Sequence, residues 1–253
     1  MKLIMLLLIF SSFSLKAELT LKDVEVDIFK EGKLKKDDVM SLLLSGSHED
    51  KNLSNYLLSL VYGYGLYGVE KNIEKSEYYF LPLLELKYRD IFFVAGTFWS
   101  NSRNPEKFKR GVILLEKASE EGDLDALYNL YSLYNHGRYT NKDKLGGILG
   151  KNYDKGDKEI ALQYGKVMID VLIEKQDKLG MLKVLDNLSR ISFKGYEGEY
   201  YYVLAGFYGY TNSPLYDEEK RNYYLMRSYE NEYYAAEKLL KGMGMLPDLP
   251  IEK

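Results

Sequence analysis

The chain has no cysteine, only two histidines, one tryptophan and five prolines among its 253 residues. Without cysteine there is no disulfide scaffold, no thiol nucleophile and no cysteine-based zinc site. His48 and His136 are the whole supply of imidazole bases or ligands. Neither charge sign dominates: 35 Lys and Arg stand against 38 Asp and Glu, a net of −3. That balance speaks against the basic footprint of a nucleic-acid binder. What is present, 46% hydrophobic and 29% charged residues, fits a globular chain forming one large domain or two small ones.

Residues 1–17 read as an export signal. Lys2 gives the basic start, and an almost unbroken apolar run from Leu3 to Phe13 leads to Ser14-Leu15-Lys16-Ala17. A run of this length suits a cleaved leader and falls short of the ~20 residues that span a bilayer. Leu15 is larger than the small residue favoured three positions before a cut, so a buried N-terminal helix stays open as the other reading. Removal after Ala17 leaves 33 basic against 38 acidic residues, a net of −5. With no later apolar run of anchor length, the mature chain is expected to be periplasmic or secreted, with no membrane anchor.

Self-similarity organises the rest. A large residue recurs as Tyr62, Trp99, Tyr134, Met168 and Tyr208, at steps of 37, 35, 34 and 40 residues. Four residues earlier stand Leu58, Ala95, Leu130, Tyr164 and Leu204. The next residue is small in four cases (Ser59, Gly96, Gly165, Ala205), with Tyr131 the exception. Ala126, Leu130, Tyr134 and Gly137 form a helical stripe closed by a glycine, and residues 110–122 form a second amphipathic helix ending in Gly122. Two helices per unit at a period near 35 predict an all-α fold, an α-solenoid of about five helix-turn-helix repeats with terminal capping helices. The expected division is a leader at 1–17, a capping segment at 18–52 with one helix near 36–44, repeats at 53–232, and a capping helix and irregular tail at 233–253. Three departures point to a distorted middle. Pro82 should break or kink a second helix, Gly146-Gly147 should weaken another, and the unit from Ile160 to about Gly195 has no Gly-Val loop.

These segments resemble Sel-like repeats, relatives of tetratricopeptide repeats. Gly68-Val69-Glu70-Lys71-Asn72-Ile73-Glu74-Lys75-Ser76 matches that family's loop and second-helix start. Lys117-Ala118-Ser119-Glu120-Glu121-Gly122 matches its second-helix end, and Ala126 to Gly137 its first helix. Asp217-Glu218-Glu219-Lys220, with Tyr224, Arg227 and Ser228, repeats the second helix near the C-terminus. The resemblance covers about three-quarters of the chain.

Catalytic and cofactor signals are sparse. Gly63-Tyr64-Gly65-Leu66-Tyr67-Gly68 has the dinucleotide spacing, but that motif works only between a strand and a helix, so an inter-helix turn is the expected reading. Gly146 to Lys151 is one residue short of a phosphate-binding loop. His136 next to Gly137 reads as a helix-end cap, and His48 as a solvated turn residue. No catalytic residue, cofactor or metal ligand is selected. An enzyme acting on peptidoglycan or another glycan remains a distant alternative.

The surplus is aromatic: 25 tyrosines. On a wheel at 100° per residue, Tyr128 lies opposite the Ala126, Leu130 and Tyr134 face. Its equivalents are Tyr56, Phe93, Leu162 and Tyr202, flanked by Tyr64, Asn101, His136, Asp170 and Tyr210. In solenoids of the tetratricopeptide kind this face lines a groove, so the resemblance implies a ladder of rings offered to a protein partner. The competing expectation is that the rings pack against the next hairpin. Some envelope proteins of the Sel-like family serve as immunity partners of antibacterial toxins and others as assembly scaffolds. The resemblance therefore implies a non-catalytic binding protein, an immunity or inhibitor protein first and a periplasmic scaffold second.

Overall fold

The structure, a computed structural model, describes residues 19–30, 32–45, 50–153 and 157–246. The expected leader, His48 and nearly all of the expected tail lie outside them. The described residues hold thirteen α-helices and no strand. Helices that follow one another in the chain pack together in the manner of an α-solenoid. Two compact units divide the chain, the first ending at Phe98 and the second beginning at Trp99.

The first unit contains α1 (Leu21–Lys30), α2 (Lys36–Ser45), α3 (Lys51–Tyr64), α4 (Ile73–Leu86) and most of α5 (Ile91–Ser100). The second contains α6 (Pro105–Glu120), α7 (Leu124–Asn135), α8 (Lys142–Asn152), α9 (Lys158–Glu174), α10 (Lys178–Ser189), α11 (Glu197–Gly209), α12 (Glu218–Glu230) and α13 (Tyr234–Gly242). The recurring large residues Tyr62, Trp99, Tyr134, Met168 and Tyr208 fall on α3, α5, α7, α9 and α11. The intervening α4, α6, α8, α10 and α12 are the second helices.

Short polar residues set the helix starts. Side chains of Asp50, Asn72, Asn104, Asp123, Asn141, Asp157, Asp177 and Asp217 each accept a backbone N–H of the first turn that follows. Each such cap is worth about 1 kcal/mol. Two expected stops also hold: Gly122 and Gly137 adopt φ of 99° and 67°, which glycine reaches without the Cβ penalty.

The capping segment differs from expectation, having two helices where one was read. The alternating Val24, Val26 and Ile28 of α1 imitate a strand, but a reciprocal cap starts it as a helix. The Asp23 N–H donates to the Thr20 hydroxyl at 3.2 Å, and the Thr20 N–H donates to the Asp23 carboxylate at 2.9 Å. Pro82 does not break α4. Pro82 and Tyr78, whose carbonyl loses its donor, are both exposed, so water can satisfy the orphan group. The expected weak point in α8 has a packing reason: a Cβ on Gly146 would sit 2.8 Å from Met168 Sδ, so the glycine lets α8 lie close on α9. α8 runs through Gly146-Gly147 without a break, and α9 is continuous from Lys158 to Glu174 with most of its residues buried.

Candidate partner-binding site

The expected ladder of rings splits into buried ties and an open cavity. Tyr56 retains 2% exposure and Leu162 none, so neither is offered to a partner. The wheel counted only one neighbouring helix, whereas α3, α7 and α11 also meet the start of the next repeat. The Tyr56 hydroxyl on α3 donates to Asp90, just before α5, at 2.6 Å. The Arg89 guanidinium stands 5.5 Å from the Tyr56 ring centre. Tyr128, half-buried on α7, repeats the arrangement by donating to Asp157, the N-cap of α9, at 3.1 Å. Tyr202 on α11 meets the ring of Tyr233, the N-cap of α13, at 5.2 Å. In these three repeats the residue reaches the leading cap of the next first helix. Burial, followed by the hydrogen bond that Tyr56 donates to Asp90, pushes the Tyr56 phenol well above the ordinary range. The same two causes act on Tyr128 through Asp157.

The other expected residues are dispersed. Phe93 is half-buried in the first unit, and Tyr64, exposed there, has the edge of Phe98 at 4.9 Å. Asn101 lines a shallow hollow with Phe108 and Arg138 in the second unit. His136 ends α7, its Nδ1 2.7 Å from the Ser132 carbonyl, as a helix-end cap would be. Gly65 to Gly68 form the inter-helix turn that was expected, whereas Gly63 and Tyr64 still belong to the helix. Gly63 lies inside α3 under the Phe98 ring, and Gly65 reverses the chain at φ 74°. Gly146 to Lys151 is helical.

Tyr202 and Tyr210, with the flanking Asp170, converge on a cavity of about 530 Å³ in the second unit. Three first helices, α7, α9 and α11, supply most of its wall, and α12 and α13 complete it. Tyr134 on α7 donates its hydroxyl to Asp170 Oδ2 across to α9. Lys166, one turn before Asp170, donates to Glu199 on α11 at 2.5 Å. Arg221 on α12 donates to Glu218 and to Asn222, each at 2.9 Å. Leu225, Leu239 and Met243 give an apolar side.

Electrostatics follow from these contacts. Burial, then the hydrogen bond to Asp170, holds the Tyr134 phenol well above its ordinary value. Tyr210 is raised by burial, then by the Asp170 charge, which places its ring in the field of the Asp170 carboxylate. Burial, the largest single influence, works against the Lys166 ammonium, but the Glu199 hydrogen bond and the Coulombic attraction of its surroundings together outweigh it and the pKa rises.

Lys166, Tyr131, Arg221, Leu239 and Met243 were not legible as site residues. A signal existed for Tyr131, which stands where the other four repeats have a small residue. Arg221, Leu239 and Met243 come from a second helix and the terminal helix, which carry no first-helix register.

Among the described residues no group of three or more His, Asp or Glu is gathered as a metal ion would require. No helix among them is long and apolar enough to cross a membrane. The arrangement offers rings, paired charges and one carboxylate around an open volume, which is suited to holding a side chain or small ligand. No protein-family description, curated protein or solved structure matches the chain.

Proposed function

We propose that the chain is a non-catalytic protein-binding repeat protein of the bacterial envelope, exported by residues 1–17. Its most specific reading is an immunity protein that sequesters a secreted antibacterial toxin. The observation that supports this reading most is the cavity walled by three successive first helices and rimmed by Tyr202 and Tyr210. Rigid rings with a polar tip gain contact area at low entropy cost, and a few such residues dominate many interfaces. The likeness of the repeat to Sel-like units supports the same class.

The test uses the full chain with the toxin candidate encoded in the adjacent reading frame. A 1:1 complex on size exclusion and restored growth of toxin-exposed cells are expected. Tyr202→Ala with Tyr210→Ala should weaken the complex about tenfold or more. Equal killing with and without the chain would overturn the immunity reading. Recovery of a cell-wall or polymer-export protein as the stoichiometric partner would replace it with an assembly scaffold.

A further inference from the structure

The charges around the cavity are not equally satisfied. Lys166 is engaged by Glu199 and Arg221 by Glu218, so each cation already has its anion. Asp170 receives only the neutral Tyr134 hydroxyl, on Oδ2, and no ammonium or guanidinium pairs with it among the described residues. A half-buried carboxylate with one neutral donor and no paired cation attracts a positive charge. Beside it, Tyr134 and Tyr210 supply π-faces, which draw cations further, while Ile169, Leu239 and Met243 offer an apolar wall for an aliphatic stem. A volume of about 530 Å³ accommodates a long side chain with its flanking backbone.

We infer that this cavity receives a basic side chain of a protein partner, its ammonium or guanidinium pairing with Asp170 and its stem lying along Leu239 and Met243. The inference rests on the protein-binding reading and names the chemistry that the partner presents. An acidic side chain would meet Asp170 with no free cation to offset the repulsion. An apolar one would bury the carboxylate without a counter-charge.

The probes are three capped tripeptides, acetyl-Gly-Lys-Gly-amide and its norleucine and glutamate counterparts. They are titrated into full-length protein labelled with ¹³C at methionine methyls. The Met243 signal is assigned by its loss in Met243→Leu. The lysine peptide should shift Met243 saturably with a Kd of about 1–10 mM. The norleucine peptide should bind at least about fivefold more weakly, and the glutamate peptide should give no shift. Asp170→Asn, which keeps an oxygen for Tyr134, should remove the preference for lysine over norleucine at an unchanged melting temperature. Tyr210→Ala, at an exposed ring, should weaken the lysine peptide about threefold or more without touching the carboxylate. Equal binding of lysine and norleucine peptides, no Met243 shift with any of them, or a preference that survives Asp170→Asn would each overturn the inference. A toxin complex unaffected by Asp170→Asn would refute it while leaving the immunity reading intact. A lysine-selective cavity in a chain that fails to protect cells would refute only the immunity reading.

Discussion

Two dipeptides at equivalent places in the repeat, Gly63-Tyr64 and Gly209-Tyr210, end in opposite surroundings. In the first unit the Phe98 ring of α5 fills the space over Gly63, where an added Cβ would stand 2.1 Å from its Cζ. Tyr64 meets the same ring edge-on. In the second unit Gly209 and Tyr210 open onto the cavity, and a Cβ on Gly209 would meet only Arg221 side-chain carbons at 3.4 Å. Tyr64 and Tyr210 are similarly exposed, at 47% and 51%, so exposure alone does not separate them. What separates them is the next first helix. α5 brings a phenylalanine over the glycine, whereas the nine-residue α13 brings Leu239 and Met243 to the far wall. A repeat therefore keeps an open cavity when its successor leaves the shared layer unfilled.

The comparison can be broken most sharply at the glycines. Gly63→Ala should cost about 2 kcal/mol by overpacking against Phe98, while Gly209→Ala should change stability by no more than about 0.5 kcal/mol. Urea unfolding of the two variants measures the gap, and equal costs would mean that Phe98 does not close the first site.

A smaller effect concerns the tyrosine ties. Tyr56→Phe should cost about 1.5 kcal/mol by removing the hydrogen bond to Asp90. The folded chain keeps the Tyr56, Tyr134 and Tyr139 phenols protonated beyond their ordinary value, burial being the largest cause and a carboxylate partner the next. The unfolded chain gives up those protons first, from about pH 10. Stability present at neutral pH should then fall as pH climbs above about 10, and Tyr56→Phe should make that fall shallower. Urea midpoints measured from pH 7 to 11 check both the direction and the slope.

The smallest stability effect should separate the two tyrosines. Tyr64→Ala loses the edge contact with Phe98 and should cost about 1 kcal/mol, with Tyr210→Ala within about 0.5 kcal/mol of the parent. Reversal of that order in thermal melts would place the packed ring in the second unit instead.

The repeat register was legible because it rests on local chemistry: a 3.6-residue stripe, short polar residues at helix starts and glycines at helix ends. All five recurring residues from Tyr62 to Tyr208 fall on first helices for that reason. The helix α1 escaped notice because its β-branched alternation hides a Thr20-to-Asp23 cap. The fate of Pro82 depended on which face of α4 it occupies, and that face is set by tertiary packing. The site was legible only in part. A wheel drawn for one helix recovers Tyr202, Asp170 and Tyr210, but it cannot tell that Asp90 and Arg89 enclose Tyr56. The cavity is bounded by five helices, and the contributions of Lys166 and Arg221 depend on which carboxylates they have already engaged. The tyrosine surplus, read as a binding surface, serves largely as internal adhesive. The succession of ring contacts through Phe193, Tyr200, Tyr201, Tyr224 and Tyr208 joins the loop before α11, α11 itself and α12.

The links from Tyr56 to Asp90 and from Tyr128 to Asp157 set a splicing rule for this scaffold. Each of these two modules is completed by an acid belonging to the module downstream, so a cut made between them strands a phenol on one side and a carboxylate on the other. Modules could be duplicated or transplanted cleanly only when the boundary is drawn after that acid, with the donor's ring and the recipient's leading aspartate travelling as one cassette.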